Sequence, residues 1–147
     1  MPRLTSSQFM RALPEAVRAH LPPPLRAFKS ATRSWLCQLY YHDPRLHYEV
    51  WNMGERRGLL EVGLHFESLH AAQNAALLAG FARHMVEIKA TLGEAWEAEP
   101  WDRGWTKVYE TIPYAPFDTE VLESTANRLA RAMQVLQPIY AEVAARK

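Results

Sequence analysis

Residues 46–67 read LHYEVWNMGERRGLLEVGLHFE, and the way these side chains face decides what kind of domain the chain can build. Successive side chains of a strand point to opposite faces, so apolar residues at every second position mark a buried face. Leu46, Tyr48 and Val50 obey that rule on one side of a turn, and Leu60, Val62, Leu64 and Phe66 obey it on the other. A slip of one residue would turn an apolar set outward, so the pairing must set apolar against apolar. Val50 then faces Val62, Tyr48 faces Leu64 and Leu46 faces Phe66; the paired numbers sum to 112 and leave residues 54–58 as the loop. On the second face the same register pairs Trp51 with Glu61, Glu49 with Gly63, His47 with His65 and Arg45 with Glu67. That face is polar and aromatic.

N-terminal to this hairpin the pattern reads as helical. Thr5 and Gln8 have capping-box spacing, so a first helix should begin near Ser6, with Phe9, Leu13 and Val17 on its apolar side. Pro14 interrupts that pattern or opens a second short helix, and Pro22, Pro23 and Pro24 end the segment. A longer helix is predicted over residues 24–41, with Leu25, Phe28, Thr32, Trp35, Leu36 and Leu39 as its stripe. Arg26, Lys29 and Arg33 lie on another side of it.

C-terminal to the hairpin a helix is predicted over residues 69–92. Ser68 is its N-cap, and Leu78, Phe81, Met85, Ile88 and Leu92 form its stripe. A second hairpin follows, over residues 95–99 and 105–112, turning at residues 100–104. Asp118 caps a final helix through Leu122, Ala126, Leu129, Met133, Leu136, Tyr140 and Val143, which Pro138 should kink or restart. Each half is thus a hairpin and then a helix. Glu49-Val50-Trp51 matches Glu94-Ala95-Trp96, and Phe81-Ala82-Arg83-His84-Met85 matches Leu129-Ala130-Arg131-Ala132-Met133, which suggests a ββα-ββα internal repeat. The expected fold is α+β: an antiparallel sheet of about four strands in two hairpins, with two long helices on one face and N-terminal helices before it. Residues 1–44 form the helical segment and residues 45–147 the α+β core of a single compact domain.

The chain has 147 residues, 48% apolar and 22% charged, which suits one globular core. No apolar run approaches the roughly 20 residues that cross a bilayer. The start, MPRLTSSQ, has no apolar signal core, and Cys37 is the lone cysteine, so the expected setting is cytoplasmic, with no membrane and no disulfide framework. The net charge of +1 hides an asymmetry: residues 1–34 carry Arg3, Arg11, Arg18, Arg26, Lys29 and Arg33 against Glu15 alone. A basic segment beside an acidic body docks onto it or meets an anion, but the near-neutral total argues against nucleic acid.

The chemically capable residues gather on the second sheet face and its turns: Arg45, His47, Glu49, Trp51, Glu61, His65, Glu67, Trp101 and Trp105. Trp96, Lys107 and Tyr109 join them if Thr106, Val108 and Ile112 point inward, an arrangement that leaves Glu110 aimed at the core. Five tryptophans and six tyrosines favour an interface or ligand surface. The reading is a non-enzymatic interaction or ligand-binding module that self-associates as a homodimer or takes a protein partner, with no cofactor, catalytic residue or metal ligand assigned. The alternative is a metal-dependent or acid–base enzyme in which His47 and His65 supply nitrogens and Glu49, Glu61 or Glu67 supply carboxylates. Cys37 reads as a packed thiol rather than a nucleophile.

Overall fold

The computed structural model describes residues 2–146. The elements run α1 (Ser6–Ala19), a 3₁₀ turn (Pro23–Leu25), β1 (Lys29–Arg33), β2 (Leu36–Tyr40), β3 (Leu46–Asn52) and β4 (Leu59–Phe66). They continue with α2 (Ala71–Ala82), α3 (Met85–Leu92), β5 (Glu97–Pro100), β6 (Thr106–Pro113) and α4 (Thr119–Ala145). The fold is α+β, with one six-stranded antiparallel sheet in the order β1-β2-β3-β4-β6-β5.

The β3–β4 register is the one the apolar alternation demands: Leu46 opposes Phe66, Tyr48 opposes Leu64 and Val50 opposes Val62. Gly54 and Gly58 bracket the connecting turn with φ of 96° and 69°, left-handed values that suit glycine. The inward side chains of β2, β3, β4 and β6 meet Phe9, Leu13 and Val17 of α1, Leu77 and Phe81 of α2, Ile88 of α3, and Leu129, Met133 and Leu136 of α4 in one apolar cluster. Two helix starts follow their local chemistry. Thr5 and Gln8 exchange side-chain and backbone bonds of 3.0 and 2.9 Å at α1, and Asp118 Oδ1 accepts from Val121 N–H at 2.8 Å at α4. Both helices run on through their prolines, so neither Pro14 nor Pro138 starts a new one.

The largest departure lies in residues 24–41, where the end of the 3₁₀ turn and the β1–β2 hairpin stand in place of a helix. Cys37 and Leu39 are fully buried while Leu36, Gln38 and Tyr40 face the other way, so a period of two fits this stretch as well as the helical stripe does. What decides is non-local. Without β2, the outer side of β3 would present unpaired backbone groups; instead Cys37 pairs with Val50 and Leu39 with Tyr48. The basic helix face disappears with the helix. Arg26 Nε donates to the Leu21 carbonyl at 2.8 Å, while Lys29 and Arg33 lie on the edge strand β1, where charge discourages pairing with another chain. The sheet therefore has six strands rather than about four, and the helix expected over residues 69–92 is divided between α2 and α3. His70, not Ser68, is the N-cap of α2, and Ser68 Oγ accepts the His70 N–H at 3.2 Å.

Among the buried polar side chains on the helical side of the sheet are Glu110, Tyr48 and Thr106, whose hydroxyl donates to the Asn74 carbonyl of α2 at 2.8 Å. Glu110 points inward and is buried, and its carboxylate accepts from Arg128 Nε of α4 at 2.6 Å. Burial raises its pKa, and the guanidinium opposes the rise. Tyr48 is buried as well, and its hydroxyl donates to Gln137 Oε1 at 2.8 Å.

Burial, reinforced by Tyr41 and Tyr140, pushes the Tyr48 phenol well above its ordinary value. A folded phenol that holds its proton longer than the unfolded one contributes stability that is complete below the unfolded pKa of 10.0 and declines as pH rises through the folded value. Tyr48→Phe is expected to cost about 1 kcal/mol near neutrality. It should also flatten the alkaline decline, read by urea unfolding on either side of pH 10.0. A second test concerns Gly63, where an added Cβ would fall 2.5 Å from the Tyr109 Cβ and 2.6 Å from the Val108 carbonyl. Gly63→Ala must force β4 and β6 apart and is expected to destabilise by about 1–3 kcal/mol in the same assay.

Candidate functional site

Directly opposed residues share a face, so the sheet register places Gln38, Glu49, Gly63 and Tyr109 in one row across β2, β3, β4 and β6. His47, His65 and Lys107 form the next row, and Trp51, Glu61 and Thr111 the row on the other side. All lie on the face opposite the helices. The polar contacts at the centre of this face come from the sheet strands and from the loops that join them.

Relative exposure is 2% for His47, 6% for Glu49, and zero for Glu61 and His65. Charged groups this far from water must be paired. His65 Nε2 lies 2.6 Å from Glu61 Oε2, and its Nδ1 lies 2.9 Å from Glu67 Oε2. Carboxylates only accept, so the ring carries a proton on each nitrogen. Burial works against that charge, but Glu61 and Glu67, with Glu49 nearby, outweigh it and raise the imidazole to about 10. The other Glu61 oxygen accepts from Lys107 Nζ at 2.5 Å. Burial would raise the Glu61 carboxyl, yet His65 and Lys107 hold it below its ordinary value.

The neighbouring half of the cluster is built around Glu49. Its Oε1 lies 3.0 Å from Gln38 Nε2 and 3.1 Å from His47 Nε2. Burial alone would raise this carboxyl; the His47 contact, the His65 charge and the Gln38 amide bring it down to about 2. His47 Nδ1 donates to the Pro44 carbonyl at 2.8 Å, which fixes the ring and turns Nε2 toward Glu49. The His47 and His65 rings stack with centroids 5.6 Å apart and planes 26° apart. One donor atom from each of His47, Glu49, His65 and Glu67 lies within 4.8 Å of the other three. These residues could hold a metal ion.

Aromatic rings border the ions. Trp101 stands edge-on to His65 at 5.6 Å and meets Trp105 at 5.4 Å. Lys107 Nζ lies 4.2 Å from the Tyr109 ring centre and 5.0 Å from that of Trp101. The Tyr109 hydroxyl donates to Glu99 at 2.5 Å.

Of the residues singled out from sequence, His47, Glu49, Glu61, His65 and Glu67 meet in this cluster, Trp101 and Trp105 wall it, and Trp51 stands half-buried opposite Glu61. Arg45 is exposed, and its backbone carbonyl accepts from Glu67 N–H at 2.8 Å. Trp96 does not belong to the face. It precedes β5 and is buried on the core side, in step with Ala98, which opposes the inward Val108, so the pairing of β5 with β6 gives these even-numbered positions to the core. Gln38 was hidden by the helical reading of its segment; its alternation with Cys37 and Leu39 was the available signal. Cys37 lies on the helical side, where burial, aided by the Glu49 charge, pushes its thiol up to about 12.

A cavity of about 510 Å³ lies elsewhere, between α2 and the C-terminal part of α4, and none of the candidate residues lines it. Comparisons with protein-family models, curated proteins and solved structures give no match to this chain. Among the described residues no helix is long and apolar enough to cross a membrane.

The network predicts a specific cost for breaking it. Lys107→Met leaves Glu61 buried with one cation instead of two and should destabilise by about 3 kcal/mol or more, measured by urea unfolding. A loss within about 0.5 kcal/mol would mean that water already compensates Glu61.

Proposed function

We propose that the protein is a non-enzymatic binding module that self-associates as a homodimer, with the sheet face of His47, Glu49, Glu61, His65 and Lys107 as its recognition site. The observation that carries this reading is the burial of an ionic network on the face the helices leave free. A stability requirement alone does not account for it. Buried ion pairs are at best near neutral against apolar groups of similar volume, and the opposite face of the same strands is packed with Val50, Val62 and Leu64. An antiparallel sheet with one free face normally keeps that face wet.

The division of labour follows from the geometry. Fixed charges at the floor define where a complementary charge is accepted. Trp51, Trp101, Trp105 and Tyr109 offer flat, rigid contact area, the kind that dominates interface energetics. Trp35, 52% exposed on the β1–β2 turn, and Trp101, 38% exposed, are the tryptophans most open to a partner. A cytoplasmic setting, in keeping with the single free thiol, is part of the proposal.

Size-exclusion chromatography with light scattering across protein concentrations tests the reading. The wild type should run as a dimer, and Trp101→Ala should weaken the dimer by about tenfold or more while keeping its far-ultraviolet circular dichroism and a cooperative melting transition. A wild type that is monomeric throughout the range contradicts self-association.

A further inference from the structure

We propose that the centre of the sheet face binds one divalent first-row transition-metal ion through His47, Glu49, His65 and Glu67. This names the chemistry of the ligand for the binding-module reading, and it rests on that reading for the choice of face.

The donor set has the spacing such an ion needs. His47 Nε2 lies 3.1 Å from a Glu49 oxygen and 3.8 Å from a Glu67 oxygen, and His65 Nδ1 lies 2.9 Å from the same Glu67 oxygen. Four ligands at zinc-like bond lengths of about 2.0–2.1 Å stand about 3.3 Å from one another. One donor atom from each residue lies within 4.8 Å of the other three, so side-chain rotation has to draw the cluster in to the spacing of a metal's ligands. The donors also come with supporting contacts. His47 gives its Nδ1–H to the Pro44 carbonyl, which makes Nε2, now 3.1 Å from Glu49 and 3.2 Å from Gln38, the nitrogen that would turn to a metal. With His65 ligating through Nδ1, its Nε2–H keeps the bond to Glu61, and Lys107 holds Glu61 in turn. That is the carboxylate–imidazole–metal arrangement that orients a ligand and raises its basicity.

Charge points the same way. Glu49 and Glu61, both buried, and the partly exposed Glu67 bring three negative charges to the site, against one permanent positive charge on Lys107. A dication closes the balance with both imidazoles neutral. Without it, His65 occupies the gap as an imidazolium between Glu61 and Glu67. Metal uptake therefore releases to solvent the His65 Nδ1 proton and the proton that His47 Nε2 shares with Glu49, and puts metal–nitrogen bonds in place of those two hydrogen bonds. Two imidazoles with two carboxylates suit zinc, cobalt, manganese or iron, and disfavour magnesium and calcium, which take oxygen ligands.

The test uses the full chain, stripped with a chelator and titrated calorimetrically with Zn²⁺ and Co²⁺, with Mg²⁺ and Ca²⁺ as controls. One ion per chain is expected, with a visible Co²⁺ absorption band, a raised melting temperature and a change in Trp101 fluorescence. Glu49→Gln and Glu67→Gln should each weaken Zn²⁺ binding by roughly tenfold or more. Glu67 is partly exposed and offers the variant least disruptive to folding; the melting temperature of each stripped variant checks that it folds. The exposed pairs His20–Glu123 and His84–Glu87 supply the control: His20→Ala with His84→Ala should leave the affinity unchanged. The proposal is overturned if the wild type takes up neither Zn²⁺ nor Co²⁺. It is equally overturned if uptake survives Glu49→Gln with Glu67→Gln and vanishes with the surface histidines. Light scattering separates the two claims: a dimer that binds no metal ends this inference alone, whereas a monomer that binds one ion ends the self-association reading and leaves the ion site.

Discussion

The register of β3 against β4 fixes both faces of the sheet at once. In one frame Tyr48, Val50, Val62 and Leu64 meet the helices, while His47, Glu49, Glu61 and His65 meet one another. A slip of one residue would exchange the sets, burying imidazoles and carboxylates among leucines and leaving the apolar row in water. The frame then spreads sideways. Gln38 of β2 aligns with Glu49, and Lys107 of β6 aligns with His65, so the two flanking strands deliver polar side chains to the same centre. Gly63 permits the Tyr109 side chain to lie close across β4.

The ionic centre is a network in which no member can be removed alone at low cost. His65 bonds Glu61 and Glu67, Glu61 bonds Lys107, and Glu49 bonds Gln38 and His47. The surrounding rings exclude water, which strengthens each pair and makes each broken pair more expensive. Such an arrangement need not add net stability over apolar packing of the same volume.

Much of this could be read from the chain where the deciding forces are local. The β3–β4 register follows from seven apolar positions in a short window, and with it came the meeting of His47, His65, Glu49 and Glu61. Thr5 with Gln8, and Asp118, mark their helix starts through side chains a few residues from the groups they satisfy. The β1–β2 hairpin was not legible because its apolar spacing fits a helix too, and the need to cover the free side of β3 is visible only in three dimensions. Glu110 stood out in sequence as a charge aimed at the core; its partner Arg128 belongs to another element. Trp96 went to the wrong side because the pairing that sets Ala98 against the inward Val108 and Glu97 against Tyr109 is fixed by the turn and by β6, and the composition of residues 95–99 does not announce it. The Trp51–Trp96 match behind the proposed repeat suffers from the same pairing, since the first lies half-buried in β3 and the second is buried on the helical side.

The most direct measurement is the unfolding free energy of a variant in which the ion network is replaced as a unit: Glu49→Gln, Glu61→Leu, His65→Phe, Glu67→Gln and Lys107→Met together. If the charges serve binding rather than folding, this variant should be as stable as the wild type or more so, by up to about 4 kcal/mol. A variant that unfolds several kcal/mol sooner would contradict the account and make the ionic centre part of what holds the sheet together.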